Sequence, residues 1–120
     1  MVTLSNNIIT ITRGDTFSPP LFINAGSDLK PVRYELGDYD EVYLGIMEPN
    51  QPFENAIVKK RYTKANINEY GDVKVRFEHD DTKCLVPGKY FYEIKAKFIK
   101  EDGSVDINTI IQRTEFWIQE

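Results

Sequence analysis

A chain of 120 residues has the length of one ordinary domain, enough to bury about two-thirds of the surface its unfolded form exposes. Apolar residues at 41 %, with seven Tyr and seven Phe, exclude a disordered chain; a formal charge of -4 argues against a broad polyanion-binding face, so no nucleic-acid partner is expected. The single cysteine, Cys84, excludes an intrachain disulfide and points to a reducing compartment, while the absence of a basic-then-apolar leader and of eighteen consecutive apolar residues argues against a classical export signal and a membrane span.

The first predicted strand covers Asn7 to Arg13, with Ile9 and Ile11 on one face and Thr10 and Thr12 on the other. Gly14 and Asp15 break it. Pro19 and Pro20 lack backbone donors, so the segment running into Leu21 to Ile23 is expected at an edge or in an extended crossing. "NAGSDLKP" is loop-like, and its Pro31 biases Lys30 away from helix. In "DEVYLGIME", Val42, Leu44 and Ile46 share one strand face, with Tyr43 and Gly45 opposite. "EPNQPF" is a turn, and "AIVKKRYT" suits an extended segment or one helical turn, with strand the favoured form. Next, "NEYGDVKVRFEH" alternates Val73, Val75 and Phe77 against Lys74, Arg76 and Glu78, as a half-buried strand does. Asp80 and Asp81 before "TKCL" predict a short N-capped helical turn.

The C-terminal third alternates most clearly. Tyr90, Tyr92, Ile94, Ala96 and Phe98 form one face, and Phe91, Glu93, Lys95, Lys97 and Ile99 the other, after a turn at Pro87 and Gly88. "KEDGS" predicts a hairpin loop, with Gly103 free to take a positive φ. The return strand, Val105 to Ile118, carries two apolar sets, Ile107 with Ile111 and Phe116 with Ile118, that are out of phase by one residue. A bulge near Gln112 to Thr114 would reconcile them. Six to eight short strands between Gly, Pro, Asn and Asp turns favour a two-layer β-sandwich over a barrel, with residues 1–120 as a single domain.

Chemical motifs are sparse. Arg13-Gly14-Asp15 has the composition of an adhesion signal, but it continues directly from a strand, and the physical reading is a corner that Gly14 permits and Asp15 braces. His79 lacks a nucleophile or paired carboxylate in a recognisable arrangement, and is read as a surface-loop histidine. Cys84 is read as a small apolar plug beside Leu85. Asp38, Asp40 and Glu41, then Asp80 with Asp81, then Glu101 with Asp102 are acidic patches without the ligand ladder of a calcium loop, so they are read as solvated turns; no metal or cofactor is expected. Lys59 to Arg61 with Lys64 is read as a solvated strand face. The rings Tyr34, Tyr39, Tyr43, Phe91 and Trp117 are the candidate interaction surface, since such side chains supply contact area at protein interfaces and at sugar-binding grooves.

The stretches "NIITITRGDTF", "GDVKVRF", "LVPGKYFYEI" and "TEFWIQE" resemble the small Ig-like β-sandwich proteins of phages and prophages infecting Firmicutes, a group that includes the N-terminal domain of the upper baseplate protein. Arg13, Gly14 and Asp15 match that pattern's opening corner, Asp81 and Thr82 its short helical turn, and Leu85, Pro87, Gly88, Tyr90 and Tyr92 its late turn and strand. The resemblance implies an all-β, two-layer Ig-like antiparallel sandwich of about seven short strands, without catalytic residues. It further implies a structural or accessory component of the particle, found in the virion or in the host cytoplasm during assembly, whose partners are itself or other virion proteins. With no helical or trimerising region after the sandwich, a small accessory subunit is the expectation rather than the baseplate protein itself. The alternative is a carbohydrate-binding module, which requires Trp117 or a tyrosine cluster to be exposed.

Overall fold

The computed structural model describes residues 2–5, 8–18, 20–21, 36–67 and 73–120. Its strands are β1 (Val2–Ser5), β2 (Ile8–Thr12), β3 (Pro20–Leu21), β4 (Glu41–Met47), β5 (Val58–Tyr62), β6 (Val73–Lys74), β7 (Gly88–Ile99) and β8 (Val105–Gln119), joined among the described residues by one α-helical turn, α1 (His79–Thr82), and two 3-10 turns, Phe53–Asn55 and Lys64–Asn66. The fold is all-β. Six strands form one curled sheet in the order β1-β2-β8-β7-β4-β5, and β3 pairs with β6 in a second ladder.

Alternation dictates the core. On β4 the even residues Val42, Leu44 and Ile46 are buried, as are Tyr90, Tyr92, Ile94 and Ala96 of β7 and Phe116 and Ile118 of β8. Val73 of the second ladder, with Val75 and Phe77 just after it, closes this core, and the Phe77 ring lies 5.3 Å from that of Phe116. The segment around β6 keeps its predicted in-and-out alternation, yet only Val73 and Lys74 form a strand, joined by an isolated bridge between Phe17 and Phe77. Pro20 fits because its ladder has just two strands among the described residues, so β3 lies at an edge there. The Tyr62 hydroxyl accepts from the Arg76 amide at 3.1 Å and lies 3.4 Å from the Arg76 carbonyl, tying β5 to the segment after β6.

Three expectations are corrected. The architecture is not wholly antiparallel, because β2 runs parallel to β8, with Ile9 opposite Phe116; Arg13 N–H extends this ladder to the Gln119 carbonyl at 2.7 Å. Nor are the strands uniformly short: β7 and β8 have 12 and 15 residues, and a 12-residue strand spans roughly 40 Å, close to the 46 Å long extent of the molecule. The third concerns β8. Tyr92 faces Thr114, Ile94 faces Ile111 and Lys95 faces Thr109, so β8 gains one residue within the predicted 112–114 region and a second at Ile110. The first bulge brings Ile111 onto the inner face with Phe116 and Ile118. The second reverses the phase again, so Ile107 pairs with Lys97 on the outer face and is 69 % exposed.

Candidate interaction surfaces

The Arg-Gly-Asp corner is built by backbone requirements. Gly14 has φ +85°, and its N–H donates to Thr82 Oγ1 at 2.8 Å. Its carbonyl lies 2.8 Å from His79 Nδ1; a carbonyl can only accept, so that nitrogen carries the proton. A Cβ at Gly14 would meet the His79 ring at 3.1 Å. Thr82 is fully buried, and Asp15 N–H bonds back to the Thr12 carbonyl. The tripeptide and the lone histidine are thus two sides of one clamp between the end of β2 and α1. The helical turn takes in both aspartates instead of starting after them: Glu78 is its cap residue, and Asp81 Oδ2 accepts the Glu78 N–H at 2.7 Å. Cys84 is exposed, correcting its reading as an apolar plug, and Leu85 packs against the core instead. At the second predicted turn, Gly88 is the first residue of β7, opposite Ile118, and the Tyr90 hydroxyl donates to the Val86 carbonyl at 2.7 Å.

Of the candidate surface rings, Tyr43, Phe91 and Trp117 share the outer face of the large sheet. Trp117 lies opposite Lys89, and Tyr43 opposite Lys95. Tyr39 is 75 % exposed in the turn before β4, away from this group, and Tyr34 lies outside the described residues. The face is knitted by cations. Lys89 Nζ lies 5.3 Å from the Phe91 ring centre and 5.7 Å from that of Trp117, and the Arg113 guanidinium stands 4.9 Å from Phe91. Glu115 and Glu93 hold those cations from the side. Further along, Phe53 covers Gly45 so closely that a Cβ there would come within 2.6 Å of the ring, and Lys95 sits over Phe53 at 4.9 Å. A shallow cavity of about 320 Å³ lies between Tyr43, Phe53, Glu54 and Lys59. Much of this face is therefore occupied by the chain's own side chains.

Two other regions are less satisfied. The far half of the β7–β8 hairpin presents Val105 and Ile107 to solvent, 46 % and 69 % exposed, and residues 101–109 are all exposed. β2 pairs with β8 only at 116–119, so along 105–115 the second edge of β8 has no strand partner among the described residues. At the other margin of the sheet, β5 pairs only with β4 among the described residues. Beside its open edge lies a groove of about 520 Å³, lined by Lys60, Arg61, Lys74, Arg76 and Glu78 around Tyr62. Lys60 pairs with Asp81, Arg61 with Glu41 and Arg76 with Glu78, while Lys74 has no ionic partner among the described residues. The hydrogen bond from Arg61 is the main reason the Glu41 carboxyl titrates below its ordinary value. The sequence reading missed this groove because its cations come from segments more than ten residues apart.

The first acidic patch separates into structural roles. Asp40 is buried: Oδ2 accepts the Gly37 N–H at 2.8 Å and Oδ1 the Ile99 N–H at 3.0 Å, while Asp38 pairs with Lys64. No group of three metal-ligating side chains occurs among the described residues, and no described helix is long and apolar enough to cross a membrane. No family model, curated protein or solved structure matches the chain.

Proposed function

We propose that the chain is a non-enzymatic structural or accessory subunit of a phage or prophage particle, with an Ig-like sandwich fold, that works through protein-protein contacts. It resides in the virion, or in the bacterial cytoplasm during assembly, and its partners are itself or other virion proteins. The observation that carries the reading is the far half of the β7–β8 hairpin, where exposed Val105 and Ile107 stand beside a strand edge unpaired among the described residues. Such an edge is a template for adding another chain's strand, and exposed apolar side chains add area to that contact. The sandwich reading is supported by the shared core of the two ladders, and the particle reading by the resemblance carried by the opening corner and "LVPGKYFYEI". The test is particle composition: gradient-purified particles from the induced bacterium should contain the chain at fixed stoichiometry. Its confinement to the free-protein fraction would reject the reading.

The carbohydrate-binding alternative keeps one favourable observation, because Trp117 lies on the outer face and is 39 % exposed. Trp117 is the chain's single tryptophan, so fluorescence titration with oligosaccharides reports on that position alone. Saturable quenching would favour this alternative, although Lys89 already lies over the ring.

A further inference from the structure

We infer that the basic groove beside β5 receives the acidic end of the β7–β8 hairpin from a second copy of the chain. This rests on the subunit reading above and names its first partner. The edge of β5 is ill suited to pairing with a second β5. That edge, open among the described residues, carries Lys59, Lys60 and Arg61 in succession, so two β5 strands laid edge to edge would bring like charges together. The same charges admit an acidic strand, and the groove adds Lys74 of β6 and Arg76 just after it.

The hairpin end has the complementary character. Glu101, Asp102 and Asp106 cluster around the turn, which is closed by Gly103 N–H donating to the Lys100 carbonyl and Lys100 N–H to the Ser104 carbonyl. Only Asp106 of these acids has a described cationic partner, Lys100 at 2.9 Å. Val105 and Ile107 stand beside the acids as exposed apolar contacts, on a strand whose outer edge is open among the described residues. The groove thus supplies cations and a strand edge, and the hairpin supplies carboxylates, apolar side chains and a second strand edge. The surfaces differ, so the contact closes where two copies reciprocate it about a two-fold axis and otherwise propagates into a ring or filament.

Light scattering during size exclusion of the intact chain, across concentration and salt, tests the pairing. The expected result is a concentration-dependent oligomer that weakens as salt is raised. Two charge-reversed variants carry the specificity: Lys74→Glu with Arg76→Glu in the groove, and Glu101→Lys with Asp102→Lys at the turn. Each should raise the dissociation constant about tenfold or more, with circular dichroism unchanged. Mixing the two variants should restore assembly, because each variant's altered surface then meets its complement on the other. Glu101→Lys alone, which leaves the Asp102–Ser104 hydrogen bonds in place, should weaken assembly in the same direction. A chain that stays monomeric at every concentration overturns the pairing, as does an oligomer that ignores both reversals or a mixture that fails to reassemble. A monomeric chain that still copurifies with particles would overturn the pairing and leave the subunit reading standing. A charge-dependent oligomer absent from particles would do the reverse.

Discussion

The two halves of β8 belong to one strand and share β7 as a neighbour, yet they live in different environments. From 116 to 119 the strand lies between β2 and β7, and Phe116 and Ile118 are buried to 0 % and 2 % exposure. From 105 to 109 it has β7 on one side and every residue is exposed. The difference arises from what flanks the strand. Apolar residues of both halves are similar in hydrophobicity, but among the described residues only the near half has a sheet neighbour on each edge and side chains of the segment around β6 packed on it. Burial here follows position in the sheet, and the far half keeps apolar side chains without a core to place them in.

Breaking the near half should cost most. Phe116→Ala removes a ring packed on Phe77 at 5.3 Å and Tyr92 at 6.1 Å, and truncating a fully buried phenylalanine costs about 3–5 kcal/mol. Urea unfolding should show a midpoint shift of that size or leave no folded baseline. A loss below about 1 kcal/mol would mean that Phe116 is not central to the core.

Next in size is the anchor of the far half. Asp40 clamps the start of β4 to Ile99 near the hairpin turn, so Asp40→Ala strips the acceptor from two backbone N–H groups. Charge-assisted hydrogen bonds of this kind make the expected loss about 3 kcal/mol, again read from the urea midpoint. Hydrogen exchange should show the loss first at Ile99, sharpening the distinction between the anchored and projecting parts of the hairpin.

How much of this was legible follows from range. Alternation on β4, around β6 and on β7 placed the buried face, because period 2 is a local property. The Gly14 corner was legible for the same reason, since its conformational demand is written into its own residue type. What could not be read was registry and distance. Ile107 looked like a partner of Ile111, but the second bulge at Ile110 is decided by cross-strand pairing. Cys84 looked like a plug, but a nearby leucine took that space. Thr82 and Asp40 act on backbone donors 68 and 59 residues away, and neither relation leaves a mark in the sequence around it.

Alkaline pH probes the junction between the halves, where Tyr92 faces Thr114 beside the first bulge. Burial pushes the Tyr92 phenol up to about 12 from an ordinary value of 10.0. The folded state holds this proton more tightly than the unfolded state does. The associated stability is therefore fully present below pH 10 and is lost as pH rises through 12. The loss should reach roughly 2–3 kcal/mol, and Tyr92→Phe should move the alkaline midpoint upward if its lost hydroxyl contact costs less than that. Burial raises the phenols of Tyr62 and Tyr90 in the same direction, so phenolate absorbance should show a late group of tyrosines titrating with the loss of circular dichroism.

The smallest effect on stability should come from the far half itself. Ile107→Lys places a charge where the isoleucine was already 69 % exposed, on the outer face opposite Lys97, so the change in folding free energy should stay within about 0.5 kcal/mol. The like charge across the strand pair should make its sign unfavourable. The same substitution should weaken self-association measurably, since it removes an apolar contact and adds a cation to the hairpin end whose acids Glu101 and Asp102 are proposed to meet the basic groove of the next copy. A variant as stable as the parent but less associated would separate the two roles of β8, one half held for folding and the other for contact. If Ile107→Lys unfolds the chain as Phe116→Ala does, the halves are energetically one unit and the exposed half is not a free surface.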